Sequence, residues 1–155
     1  MPSRRDLIKM SEAEVRDFLA SERVVSCATI GPSGRPHLVP LWYVADGVEL
    51  RGWTYAKSQK ARTLERDPRA TLEVANGELY HELRGVMMEC EVDIEREPER
   101  VAGYGLELFA RFTEGSELPA EIREMVEQQA AKRVGLRFAP TRIVSWDHRK
   151  LGGAY

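Results

Sequence analysis

Arg51-Gly52-Trp53-Thr54-Tyr55-Ala56-Lys57-Ser58-Gln59-Lys60-Ala61-Arg62-Thr63-Leu64-Glu65-Arg66-Asp67-Pro68 changes its period halfway along. The first residues favour a strand, which delivers Trp53 and Thr54 to a short loop. From Lys57 to Asp67 the apolar positions recur at helical spacing, with Ala61, Leu64 and the stem of Lys60 on one side. Asp67-Pro68 stops that helix, because proline pushes the preceding residue out of the helical region. The helix start near Ser58 offers unpaired N–H groups, a hydroxyl and the Lys60 ammonium, a set that suits a phosphate. The same residues also suit a capped surface helix whose basic face is merely solvated. Its surroundings decide between the two.

Upstream, Ser11-Glu12-Ala13-Glu14 is a capping box ahead of Val15, Phe18 and Leu19, which predicts a helix over about 11–21. Val24 to Ile30 is β-rich and runs into the turn cluster Gly31-Pro32-Ser33-Gly34. Pro36 to Val44 resumes the strand pattern, and Asp46-Gly47 turns the chain into Val48 to Trp53. The expectation is a three-stranded meander. Downstream, Ala70 to Ala75 reads as a strand, Asn76-Gly77 as a type I′ turn and Leu79 to Ile94 as a long alternating strand. Gly85 within it predicts a bulge or a close backbone approach. Glu97 to Phe112 and Pro119 to Arg133 are helical segments joined by Thr113-Glu114-Gly115-Ser116. Val134 to Phe138 and Arg142 to Trp146 read as two further strands separated by Pro140. Six or seven strands with helices between them indicate a mainly β (α+β) antiparallel barrel, one domain over 1–155.

Composition agrees. The chain has 155 residues, 43% hydrophobic and 31% charged, and a net charge of −2. That suits one soluble domain with a core that needs no disulfide staples. The first residues carry no secretory signal and no run approaches the ~20 apolar residues of a membrane span, so a cytoplasmic protein without a membrane partner is expected. The near-zero charge disfavours nucleic acid, as does the scattering of Trp42, Trp53 and Trp146 over separate segments. The charge is nonetheless uneven: residues 1–72 carry 12 basic and 9 acidic side chains, 73–128 carry 5 and 15, and 129–155 carry 6 and 1. Two basic ends that meet in space would make a local anion site.

Other chemistry finds little support. His37, His81 and His148 are isolated, and no metal-ligand spacing, nucleophile elbow, P-loop or dinucleotide fingerprint occurs. Cys27 and Cys90 lie in apolar runs and read as buried, reduced core residues.

Ser58-x-Lys60-x-x-x-Leu64-x-x-Asp67-Pro68, with Gly34-Arg35-Pro36-His37 before it, resembles the hallmark of the pyridoxamine 5′-phosphate oxidase-like, flavin-binding split-barrel superfamily. Arg142-Ile143-Val144-Ser145-Trp146-Asp147-His148-Arg149-Lys150-Leu151 resembles the family's closing strand, and the likeness covers nearly the whole chain. The resemblance implies a homodimeric split β-barrel with peripheral helices. Ser58 and Lys60 would bind the cofactor's phosphate, and the backbones of Val39-Pro40-Leu41 and Trp53-Thr54 would line its ring. Trp146, Arg149 and Lys150 would reach in from the second subunit.

Two departures argue against vitamin B6 oxidation. Val44 stands where the true oxidases have a substrate-binding lysine, and Gly85 where they often have a glutamine. His37-x-x-Pro40-Leu41-Trp42-Tyr43 and Tyr80-x-Glu82-Leu83-Arg84-Gly85 look more like the actinobacterial branch that uses the deazaflavin coenzyme F-420, which is preferred here over FMN. The resemblance then implies an oxidoreductase that passes a hydride from reduced F-420 to a small unsaturated or quinone-like substrate. His37, Tyr43 and Tyr55 are candidates for a proton donor. The alternatives are an FMN-dependent oxidoreductase of the same fold and a non-catalytic flavin- or haem-binding protein.

Overall fold

A computed structural model describes residues 1–113 and 117–153. Its strands are β1 (Val24–Ile30), β2 (Pro36–Trp42), β3 (Val44–Asp46), β4 (Glu49–Tyr55), β5 (Arg69–Asn76), β6 (Arg84–Glu95) and β7 (Arg133–Asp147). Its helices are α1 (Arg4–Ile8), α2 (Glu12–Ser21), α3 (Gln59–Arg66), α4 (Pro98–Phe112) and α5 (Ala120–Ala130). All seven strands form one antiparallel sheet in the order β2-β1-β5-β6-β7-β4-β3.

The expected meander is corrected by this order. β2 and β3 do not continue one another: they are the two edges of the sheet, and only Tyr43 separates them in sequence. The sheet therefore curls until its edges meet at that residue, which makes the barrel. Tyr43 breaks the strand because it turns inward. It is fully buried, its hydroxyl donates to the Leu19 carbonyl at 2.6 Å, and its N–H donates to the Arg23 carbonyl at 3.3 Å. The Asp46-Gly47 turn forms as expected, with Gly47 at φ +63° and Asp46 paired to Glu49.

Alternation fills the barrel. Val25 and Cys27 of β1, Leu72 and Val74 of β5, Val86 and Met88 of β6, and Leu136 and Phe138 of β7 all point inward. Phe18 and Leu19 of α2 and Ala61 and Leu64 of α3 close the two ends of that cluster. Both cysteines are free and buried, and burial pushes Cys27 up to about 11 and Cys90 up to about 12.

Two further expectations need correction, and a third is decided between its two alternatives. β6 starts at Arg84, because residues Tyr80–Glu82 form a 3-10 turn after Gly77 at φ +107°. Gly85 pairs in register with Ala75 and Trp146, so no bulge occurs there. The close approach does occur: a Cβ on Gly85 would stand 2.4 Å from Trp146 Cζ2. The closing strand is single. The register shift lies between Glu89 and Cys90, opposite Pro140, and Thr141 Oγ1 donates to the Glu89 carbonyl at 3.1 Å. A bulge absorbs the proline that would otherwise interrupt the ladder. α1, capped by a Ser3–Asp6 box, was not expected from the sequence. Of the predicted α4–α5 linker, Glu114, Gly115 and Ser116 lie outside the described residues.

Among the described residues, no helix is long and apolar enough to cross a membrane, and no three metal-ligating side chains cluster.

Candidate functional site

The end of β4 carries two features on its opposite faces. Leu50, Gly52 and Thr54 are buried toward the barrel, whereas Arg51, Trp53 and Tyr55 alternate outward. On the inner face Thr54 meets the start of α3. Ser58 caps that helix, its Oγ accepting the Ala61 N–H at 3.1 Å, and Thr54 Oγ1 lies 3.4 Å from the same hydroxyl. Lys60, only 7% exposed, donates weakly to Thr54 Oγ1 at 3.5 Å. Burial lowers its pKa, which the neighbouring Cys27 offsets only in part. Among the described residues no carboxylate pairs with it. A buried cation without a counter-ion, beside a hydroxyl and a helix N-terminus, is the arrangement an anionic group completes.

On the outer face lies a cavity of about 510 Å³. β2 contributes Pro40, Leu41 and Trp42 to it, and β4 contributes Trp53 and Tyr55. Leu108 and Phe109 of α4 and Met125 and Gln129 of α5 cover it, and Arg133 at the start of β7 closes one end. Aromatic contacts stiffen the walls: Trp42 packs on Phe112 with ring centroids 3.8 Å apart, and the Arg133 guanidinium sits 4.6 Å from the Trp53 ring centroid and 4.0 Å from that of Tyr55. Gly105 of α4 permits this, because a Cβ there would stand 2.4 Å from Trp53 Cζ3.

The profile of the family described as pyridoxamine 5′-phosphate oxidase matches residues 11–147. The chain belongs to that family. Among solved structures, it is 46% identical to a conserved hypothetical protein, Rv2991, from Mycobacterium tuberculosis, with a TM-score of 0.88 over 99% of this chain and 95% of that one. An F-420 reductase is 25% identical, with a TM-score of 0.64 over 83% of this chain and 94% of that one. The heme storage protein HutZ from Vibrio cholerae shares the fold at 19% identity, with a TM-score of 0.66 over 86% and 94%. No curated protein matches.

Within this family member, the residues singled out from sequence distribute unevenly. Ser58, Lys60 and Thr54 come together at the start of α3. Pro40, Leu41 and Trp53 come together in the cavity, but Val39 is not part of its wall. Of the three proton-donor candidates only Tyr55, half exposed, lines the cavity. His37 sits half-buried on β2 with its Nδ1 unpartnered. Tyr43 is a core residue whose hydroxyl is spent on Leu19; burial raises its phenol, which the Arg111 cation offsets in part.

Trp146, Arg149 and Lys150 are held by contacts within their own chain. Trp146 lies on Gly85, Arg149 forks onto Asp147 at 2.9 and 2.7 Å, and Lys150 meets Glu14 at 2.6 Å. Sequence reading missed Trp42, Met125, Gln129 and Arg133. Arg133 faces Tyr55 only because β4 and β7 are neighbours with Tyr55 opposite Arg133, and no local pattern announces that pairing.

Proposed function

We propose that the chain is an oxidoreductase that holds a flavin-type cofactor, the deazaflavin F-420 in preference to FMN. It would pass a hydride to a small unsaturated or quinone-like substrate. The observation that carries the reading is the buried Lys60 cation with no carboxylate beside it, at the capped start of α3. Ser58 and Lys60 receive the phosphate, with a charge-assisted contact from the ammonium. The backbones of Val39-Pro40-Leu41 and Trp53-Thr54 bound the ring, and the cavity beside them offers it the apolar side chains of Leu41 and Trp53. When bound, the cofactor supplies the redox chemistry, and the protein contributes orientation and a dry site. Tyr55 is the proton donor best placed at the cavity.

The outer face of the β1–β2 hairpin supports a homodimer. The register puts Val24 opposite Trp42, Ala28 opposite Leu38 and Ile30 opposite Pro36. Leu38 is 66% exposed and Trp42 50%, so an apolar stripe runs the length of the edge hairpin. In such a dimer the family resemblance would have Trp146, Arg149 and Lys150 reach the site from the second copy.

Fluorescence titration tests the cofactor. F-420 is expected to bind more tightly than FMN, and Lys60→Ala to weaken F-420 about tenfold or more through loss of one charge-assisted contact. Equal affinity for the two cofactors, or an unchanged constant in Lys60→Ala, would overturn the reading. Stopped-flow mixing of the reduced, loaded protein with enones and quinones separates turnover from storage: a pure binder is reoxidised no faster than free cofactor.

A further inference from the structure

Two polar groups in the cavity have no role in the reading so far. Arg133 Nε and Gln129 Oε1 are both buried without a hydrogen-bond partner, and both side chains line the cavity. Their surroundings are otherwise apolar, and no aspartate or glutamate is part of the wall. Arg137, four residues along the same strand, meets Asp93 at 2.6 Å, but no carboxylate pairs with Arg133 among the described residues. Its guanidinium is instead stacked on Trp53 and Tyr55. Contact with both rings restricts the guanidinium and leaves its terminal Nη groups to a ligand.

An unpartnered buried donor and acceptor are costly, and a ligand that satisfies both recovers that cost. The donor is part of a planar cationic fork, which matches the two oxygens of a carboxylate. A phosphate suits the place poorly: it is tetrahedral, heavily hydrated and better served by several cations than by one. The aromatic walls favour a flat ligand, since offset-stacked rings gain beyond their buried area.

We propose that this cavity takes a planar, conjugated carboxylate, with the carboxylate on the edge of Arg133 and an O–H or N–H of the ligand donating to Gln129 Oε1. This names a substrate class for the oxidoreductase reading and rests on it for the cavity's adjacency to the ring. The carboxylate would steer the conjugated system along Trp53 and hold it at a fixed distance from Tyr55.

Calorimetry on the full, cofactor-free chain tests the subsite, with 2-naphthoate and its neutral analogue 2-naphthylmethanol as probes. The wild type is expected to prefer the carboxylate by about tenfold or more, Arg133→Met to lose that preference while still binding the alcohol, and Arg133→Lys to recover part of it. The lysine variant keeps the charge and the aliphatic stem, so it carries the test should the methionine variant fail to fold. No preference in the wild type, or a preference that survives in Arg133→Met, would overturn the proposal. A cofactor arm separates the two readings. Arg133→Met should bind F-420 as the wild type does; weakened F-420 binding would make Arg133 a cofactor contact and overturn the subsite. Lys60→Ala should lose F-420 yet keep the naphthoate preference. If F-420 fails to bind the wild type while the preference persists, the cofactor reading falls and the carboxylate subsite stands.

Discussion

Arg111 lies across the ring of Tyr43, its guanidinium carbon 5.0 Å from the ring centroid, and donates to the Tyr43 carbonyl at 3.0 Å. The same guanidinium donates to the Ala20 carbonyl at 2.6 Å and to that of Glu22. One side chain of α4 thus satisfies carbonyls at the end of α2, where no intrahelical donor remains. It does so at the residue where the two edges of the sheet meet. α4, which covers the cavity, is pinned to the barrel at this point.

Arg111→Ala should therefore destabilise the fold by about 2–4 kcal/mol, the loss of several charge-assisted hydrogen bonds moderated by water reaching the freed carbonyls. Urea denaturation should show a lower midpoint with an unchanged slope, and Arg111→Lys should fall between the two. A loss below ~0.5 kcal/mol, within the range of an ordinary surface change, would show that the contact is incidental.

Lys60 presents the opposite case, a residue whose presence costs stability. Burial lowers its folded pKa, so the folded state is penalised while the ammonium is charged, and the penalty fades as pH rises through that lowered value. Lys60→Met keeps the apolar stem and removes the charge. The cofactor-free variant should melt higher than the wild type at pH 7, by about 2–4 °C for each ~1 kcal/mol recovered, while binding F-420 more weakly. An added anionic cofactor should reverse the order of the two melting temperatures. A methionine variant that melts lower than the wild type without cofactor would mean the ammonium is already compensated.

These two residues also show what a sequence can disclose. The grouping of Ser58 and Lys60 at the start of α3 was legible because the helix start, its cap and its cation lie within three residues, and local chemistry alone assembles them. Strand identities were legible for the same reason, since alternation and turn residues are local. The order of the strands was not. Nothing in Pro36 to Val44 says that Tyr43 turns inward to break the run, because the cause is a carbonyl in α2 that the fold brings to it. Gln129 and Arg133 were invisible for a related reason: they line one cavity only when α5 packs on α4 and β7, and β7 pairs with β4. Gly85 was half legible, as a close approach whose partner, Trp146, comes from 61 residues further along.

The chain's last turn should make stability acid-sensitive at a definable place. Asp147 is 6% exposed and forks with Arg149, whose side chain first and backbone N–H second hold the carboxyl below the usual carboxylate range against its partial burial. Its folded pKa is depressed, so its contribution is fully present above the unfolded value near ~3.9 and is lost as pH falls through the folded one. Asp147→Asn should cost ~1 kcal/mol at pH 7, a modest figure because Arg149 is half exposed. The unfolding free energies of the two proteins should converge as pH falls below about 3.9. A difference that stays constant with pH would assign the loss to packing rather than to the ion pair.

Two glycines in α4, two residues apart, should respond oppositely to alanine. In a helix interior glycine costs ~0.5–1 kcal/mol relative to alanine. A Cβ on Gly103 meets nothing within 4 Å, so Gly103→Ala should realise that gain and raise the melting temperature. On Gly105 the same Cβ would stand 2.4 and 2.5 Å from two atoms of the Trp53 ring and 2.8 Å from Val126 Cγ1. Overpacking of that kind costs ~1–3 kcal/mol, more than the helix gains. Gly105→Ala should therefore melt lower and alter the near-ultraviolet circular dichroism. Because Trp53 lines the cavity and lies under Arg133, a displaced ring should weaken ligands of the cavity as well. If Gly105→Ala stabilised the protein as Gly103→Ala does, Trp53 could not be packed against α4, and the aromatic wall on which Arg133 rests would have to be placed elsewhere.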